Sequence, residues 1–237
     1  NVFCNGIDLA EQFQNLKNII GFVPQQDIIY ENLTLKRMLY YTAKLKMPED
    51  TLSTEIEERI REVLKMVDLE EHQETYIRKL SGGQKKRASI AVELLADPKL
   101  FFLDEPTSGL DAGTEKNMML TLSRLSKEQH KTIIMVTHTT QNLHLCDKVI
   151  FMGPGGRLCF CGNVNAAKAF YQTDDLVNIY NMIAEDPEGW AQRFAERNPV
   201  GRIRMNHQEE KEELLKPRKE SAFRQFLILL CRYAELM

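Results

Sequence analysis

Long apolar runs are missing from this 237-residue chain. No stretch approaches the roughly 20 apolar residues of a membrane span, and no signal peptide is visible, which excludes a membrane-spanning helix within these residues. Cysteine is scarce, at five residues. They are scattered, and the pattern suits a reducing cytosol. Only Cys159 and Cys161 lie close together; one residue apart on an expected strand, they should face the same side. Two ligands cannot fill a tetrahedral metal site, so packed thiols are expected. An excess of positive charge is also lacking. The net charge of −3 argues against general nucleic-acid binding. The phosphate-binding pattern Gly-x-x-x-x-Gly-Lys-Ser/Thr does not occur. Nor does the chain begin with methionine, and it is expected to be a piece of a longer one.

What is present concentrates between Leu80 and Asp111. Ser81-Gly82-Gly83-Gln84 has the form of a capping box, in which Ser81 caps the Gln84 N–H and the Gln84 side chain returns to the Ser81 N–H. A helix should begin here, carry Ala88, Ala91, Val92 and Leu95 on one face, and stop before Asp97-Pro98. Two glycines in its first turn each cost roughly 1 kcal/mol relative to alanine. Close backbone approach to an anionic ligand at the helix N-terminus would account for them. Leu100 to Leu103 then reads as a buried parallel strand. Asp104 and Glu105 follow at its carboxyl end, the edge where open α/β sheets bind ligands. Adjacent strand side chains diverge, so one carboxylate can hold Mg²⁺ while the other addresses a water.

Leu80-Ser81-Gly82-Gly83-Gln84, Leu103-Asp104-Glu105-Pro106-Thr107 and Ser108-Gly109-Leu110-Asp111 together resemble the signature, Walker B and D-loop of an ABC-transporter ATPase. Order and spacing match as well. The resemblance implies further roles. Gln25, after the strand-like Asn18 to Pro24, matches the Q-loop glutamine that contacts Mg²⁺ and the attacking water. His138, after the strand-like Lys131 to Thr137, matches the H-loop residue that contacts the γ-phosphate. His144 has no such support and is read as structural.

In chain order, Asn1 to Leu9 reads as the end of a hairpin with an Asn5-Gly6 turn. A helix from Leu33 to Met47 is capped by Thr34, and Ile56, Ile60, Val63, Leu64 and Val67 mark an amphipathic helix. Met38, Tyr40, Tyr41 and Met66 are expected in the core or at a domain contact. Lys148 to Cys161 reads as a hairpin around Gly153-Pro154-Gly155-Gly156. Small helices follow from Ala166, one of them carrying Trp190 and Phe194. Met205 to Glu220 is charged and reads as a solvated linker. Phe223, Phe226, Leu227, Leu230 and Tyr233 form an amphipathic pattern.

The fold expected is α/β: an ABC ATPase sheet core, N-terminally truncated, with an inserted helical subdomain and a C-terminal helical extension. The core would comprise 1–30 and 81–171, the helical subdomain 31–80, a small helical extension 172–204, the linker 205–220, and 221–237 a helix leading towards a membrane domain. The resemblance is closest to the G-type branch, in which the ATPase precedes the membrane domain. It implies an ATP hydrolase using ATP and Mg²⁺, a head-to-tail dimer with a second ATP-binding domain, a transmembrane domain as partner, and a place on the cytoplasmic face of a membrane. Leu80, Ser81, Gly82, Gly83, Gln84 and Asp111 would contact nucleotide, Asp104 and Gln25 metal; Glu105, His138 and Gln25 would be catalytic. Lacking the phosphate-binding loop, the chain alone is expected to be inactive. Two other readings stay open: a soluble ABC ATPase of translation or DNA repair, and a non-catalytic interaction module.

Overall fold

The computed structural model describes residues 3–4, 7–8, 10–26, 29–198 and 221–236. Two compact units result, one from Asn1–Thr137 with Glu210–Met237, the other from His138–Glu209. The first opens with β1 (Phe3–Cys4) and β2 (Ile7–Asp8), paired antiparallel. The expected Asn5-Gly6 turn lies outside the described residues. After the short α1 (Phe13–Leu16) comes β3 (Ile20–Val23).

Next are α2 (Leu35–Lys46) and α3 (Ser53–Met66). Thr34 accepts a hydrogen bond from the Arg37 N–H, as a cap should. Leu35, Met38, Leu39, Ile56, Ile60, Val63 and Leu64 form the buried seam between these helices and α4 (Gly82–Leu94). β4 (Leu100–Asp104), α5 (Ala112–Glu128) and β5 (Thr132–Val136) complete the unit. The strands pair parallel in the order β3-β4-β5, with Phe22, Phe102 and Ile134 in register.

This sheet is covered on one face. Gly21, Val23, Phe101 and Leu103 are buried on it, whereas Phe22, Ile134 and Val136, on the other, are 55%, 45% and 61% exposed. The burial expected for the β4 run therefore holds for one side of the sheet only. Apolar composition alone cannot distinguish a strand covered on both faces from one whose second face is open.

The C-terminal α9 also belongs to this unit; before it, the second unit supplies β6 (Val149–Gly153), β7 (Arg157–Gly162), α6 (Val164–Tyr171), α7 (Leu176–Glu185) and α8 (Pro187–Arg197), and α9 spans Ala222–Leu236. The hairpin β6-β7 is antiparallel, and Phe151, Phe160, Tyr171, Ile179, Ile183 and Phe194 make its own core. The register shifts opposite Phe151 and Met152, because Phe151 pairs with Phe160 while Met152 pairs with Leu158. Cys159 is the extra residue of a bulge. It is fully buried and Cys161 is exposed, so the two thiols do not share a side: a bulge inverts the alternation that spacing alone predicts. Burial pushes the Tyr171 phenol well above its ordinary pKa, and its hydroxyl donates to the Cys159 carbonyl at 3.1 Å.

On α2, Arg37 Nε and the Tyr41 hydroxyl donate to the Glu235 carboxylate of α9 at 2.9 and 2.7 Å. At the other end of α9, the Ser221 N–H donates to Glu49 at 2.8 Å. Phe223, Phe226, Leu230 and Tyr233 remain exposed. No helix among the described residues is long and apolar enough to cross a membrane. The linker expected at 205–220 lies outside the described residues.

Candidate functional site

The capping box at the start of α4 forms as its sequence dictates. Ser81 Oγ accepts from the Gln84 N–H at 3.3 Å, and Gln84 Oε1 accepts from the Ser81 N–H at 2.8 Å. Leu80 is buried and anchors the loop, while Ser81 and Gly82 are exposed. One hydrogen bond could not be foreseen: Gln84 Nε2 lies 2.8 Å from His72 Nε2. With Oε1 committed to Ser81, the amide nitrogen is the donor, so the imidazole presents its unprotonated Nε2.

The two glycines have different reasons. A Cβ on Gly83 would stand 2.3 Å from Thr114 Cγ2, so the helix pair α4–α5 leaves room for hydrogen alone. A Cβ on Gly82 would meet nothing nearer than Leu110 Cδ2 at 3.9 Å. Ligand approach, expected from sequence for both, is the reason left for Gly82, whereas at Gly83 it would act beside the packing against α5. Beside them a groove of about 710 Å³ runs between α4 and α5, lined by Ser81, Gln84, Arg87, Thr114, Thr121 and Arg124 among others. Arg87 Nη1 donates to the Val67 and Asp68 carbonyls at 3.1 Å and Arg124 Nη2 to the Met66 carbonyl at 3.0 Å, so both arginines close the C-terminal end of α3.

Asp104 ends β4 on the open sheet face, beside Val136 in register. At Glu105 the backbone turns to φ +46°, a left-handed conformation that is rare for a glutamate and marks a site where surrounding structure holds strain. Its N–H donates to the Val136 carbonyl at 2.9 Å, and its carboxylate Oε2 accepts from Gln25 Nε2 at 2.9 Å. The expected pair of Gln25 and Glu105 is thus brought together from residues 80 apart in sequence. Asp111 caps α5, accepting from the Gly113 and Thr114 N–H groups at 3.0 Å each and from the Thr114 hydroxyl at 2.6 Å. That hydroxyl, with the backbone donors, holds the carboxyl below the usual carboxylate range. His138 lies in the second unit, two residues beyond β5, with an exposed side chain.

Sequence reasoning missed the lysines of α4. Lys86, only 9% exposed, donates to the backbone carbonyl of Gln25, and Lys85 Nζ meets Glu31 Oε1 at 2.7 Å. Nothing in the sequence marks the pair, because helical spacing alone does not say that a loop 61 residues upstream returns to this helix.

No three or more His, Cys, Asp or Glu side chains among the described residues gather as a self-sufficient metal cage. The hard oxygen donors at the end of β4 nonetheless fit Mg²⁺, which is held by one or two carboxylates together with substrate phosphates.

Comparisons with known proteins agree with the geometry. The sequence profile of the ABC transporter family matches residues 1–108. An ABC transporter ATP-binding/permease protein of Mycobacterium tuberculosis is 35% identical over 239 residues, 98% of this chain and 27% of that protein. The broad substrate specificity ATP-binding cassette transporter ABCG2 of Bos taurus is 36% identical over 178 residues, 72% of this chain and 26% of that protein. The chain therefore spans about a quarter of the length of these relatives. Among solved structures, an ATP-binding cassette described as a dimer in a post-hydrolysis state with ADP and Pi is 31% identical, with a TM-score of 0.52 over 63% of this chain and 65% of that one.

Proposed function

We propose that this chain, which belongs to the ATP-binding domains of the ABC transporter family and is most like its G-type branch, works within its parent protein as the part that hydrolyses Mg²⁺-ATP and couples it to transport. The observation that carries the reading is the hydrogen bond from Gln25 to Glu105, which sets a loop amide against the carboxylate of a residue with left-handed backbone at the end of a parallel strand. Glu105 takes the role of general base or water polariser. Gln25 holds its carboxylate in one orientation and offers an amide oxygen to metal or water. Asp104 is the carboxylate for Mg²⁺, which when bound neutralises phosphate charge. His138 contacts the γ-phosphate.

Ser81, Gly82 and the first N–H groups of α4 present donors and a helix dipole to the anionic nucleotide of a second ATP-binding domain. Leu80, buried beneath them, sets the loop. Gly83 acts by letting α5 approach and Asp111 by capping that helix, so both shape the same edge. The relatives named as permeases support a transmembrane partner and a place on the cytoplasmic face of a membrane.

The test belongs in the full-length parent, where a phosphate-binding loop can be supplied. Glu105→Gln should keep ATP binding, lower turnover by roughly 10² to 10⁴ and favour an ATP-bound dimer. Turnover within twofold of the parent would remove Glu105 from the role.

A further inference from the structure

We propose that Lys86 is a positioning residue, tying the signature helix α4 to the hydrolytic carboxylate through Gln25. The proposal rests on the hydrolase reading above and adds a connection within one chain, between the face that meets a second domain's nucleotide and the carboxylate that serves its own.

The buried positions of α4 around Lys86 are apolar or small: Gly83, Ala88, Ser89, Ile90, Ala91 and Leu94. Lys86, a residue only 9% exposed, is retained among them at a desolvation cost that charge-assisted hydrogen bonding helps to offset. One acceptor is the main-chain carbonyl of Gln25. Lysine therefore holds the backbone at this position, whatever the rotamer of the glutamine. From that fixed point the Gln25 side chain reaches Glu105 Oε2 at 2.9 Å. Lys85, the preceding residue of α4, grips Glu31 farther along the same loop at 2.7 Å, so the loop is held to the helix at two places.

Mechanically the consequence is direct. The first turn of α4 carries Gly82 and Gly83 and is capped by Ser81; Lys86 follows one turn later, on the same rigid rod. A displacement of this helix start draws the Gln25 carbonyl with it and shifts the amide that orients Glu105. Loss of the tether leaves Glu105 and the nucleotide-contacting groups in place but frees the amide, so it lowers turnover rather than binding.

The experiment is steady-state hydrolysis of Mg²⁺-ATP by the full-length parent protein. Lys86→Met, of similar length and without a donor, should lower kcat by about tenfold, the scale of one charge-assisted hydrogen bond, with KM within about twofold. Lys86→Arg should restore kcat. In a Gln25→Ala background, which removes the amide but keeps the carbonyl, Lys86→Met should lower kcat no further, because residues acting in series are non-additive. Should Lys86→Met fail to fold, Lys86→Gln, polar but too short to span the gap, is expected to show the same loss. A kcat within twofold of the parent in the folded variant, failure of Lys86→Arg to rescue, or an undiminished tenfold loss in the Gln25→Ala background would overturn the tether. Glu105→Gln measured alongside separates the two readings: no Mg²⁺-ATP hydrolysis by the parent itself sinks the hydrolase reading, normal turnover in Glu105→Gln removes Glu105 from its role and the tether with it, and loss in Glu105→Gln with Lys86→Met unaffected sinks the tether alone.

Discussion

Gly83→Ala is the sharpest probe of the contact between α4 and α5. The added methyl would stand 2.3 Å from Thr114 Cγ2, far inside van der Waals contact, between a buried Gly83 and a half-buried Thr114 whose hydroxyl is held by Asp111. Overpacking of this kind costs about 1–3 kcal/mol, against which alanine's better helix propensity returns up to about 1 kcal/mol. A net loss near 1–2 kcal/mol lowers the melting temperature by about 2–8 °C for a domain of this size. Thr114→Ser isolates the cause. It deletes Cγ2 but keeps the hydroxyl that donates to Asp111 Oδ2 at 2.6 Å. In a double-mutant cycle on the ATP-binding domain of the parent, followed by thermal and urea unfolding, Thr114→Ser should recover most of the Gly83→Ala loss. Gly82→Ala, with 3.9 Å of clearance, should leave stability unchanged or slightly raised. An unaltered melt for Gly83→Ala, or additive effects of the two substitutions, would refute the packing argument and return Gly83 to the ligand.

Three further outcomes follow. His72→Phe removes the acceptor of the Gln84 amide and should lower hydrolysis severalfold in the parent while His72→Gln, which retains an acceptor, does so less; equal losses would show that the hydrogen bond is irrelevant. Burial pushes the Asp97 carboxyl up, but the hydrogen bond from Lys131 and the charges of Lys131, Arg59 and Lys99 outweigh it and hold the pKa below its ordinary value. A depressed folded-state pKa contributes stability that is present above the unfolded pKa of about 3.9 and lost as pH falls through the folded one; Asp97→Asn should thus destabilise by about 0.5–1 kcal/mol near neutrality and by progressively less in acid, read from urea midpoints against pH. Glu235→Ala removes the acceptor shared by Arg37 and Tyr41 and should speed amide exchange across α9 while α2 and α3 remain protected; unchanged exchange would show that α9 is held by other contacts.

Local chemistry was legible in the sequence. The Ser81–Gln84 cap, the Thr34 start of α2, and the parallel β4 ending in two carboxylates depend on residues within one or two turns of each other, so spacing reports them. Gln25 and Glu105 were assigned to one site through resemblance, since no periodicity joins positions 80 apart, and their hydrogen bond came from the structure. Tertiary structure alone decided the rest. Whether a glycine serves a ligand or a neighbouring helix depends on where Thr114 sits. Whether two cysteines share a face depends on one bulge in the pairing of β6 and β7. Whether a lysine is solvated or buried depends on which loop folds back onto its helix, as Gln25 does onto Lys86. Long-range closeness is a property of the packed chain, and a linear pattern carries it only when the pattern is shared with a fold already known.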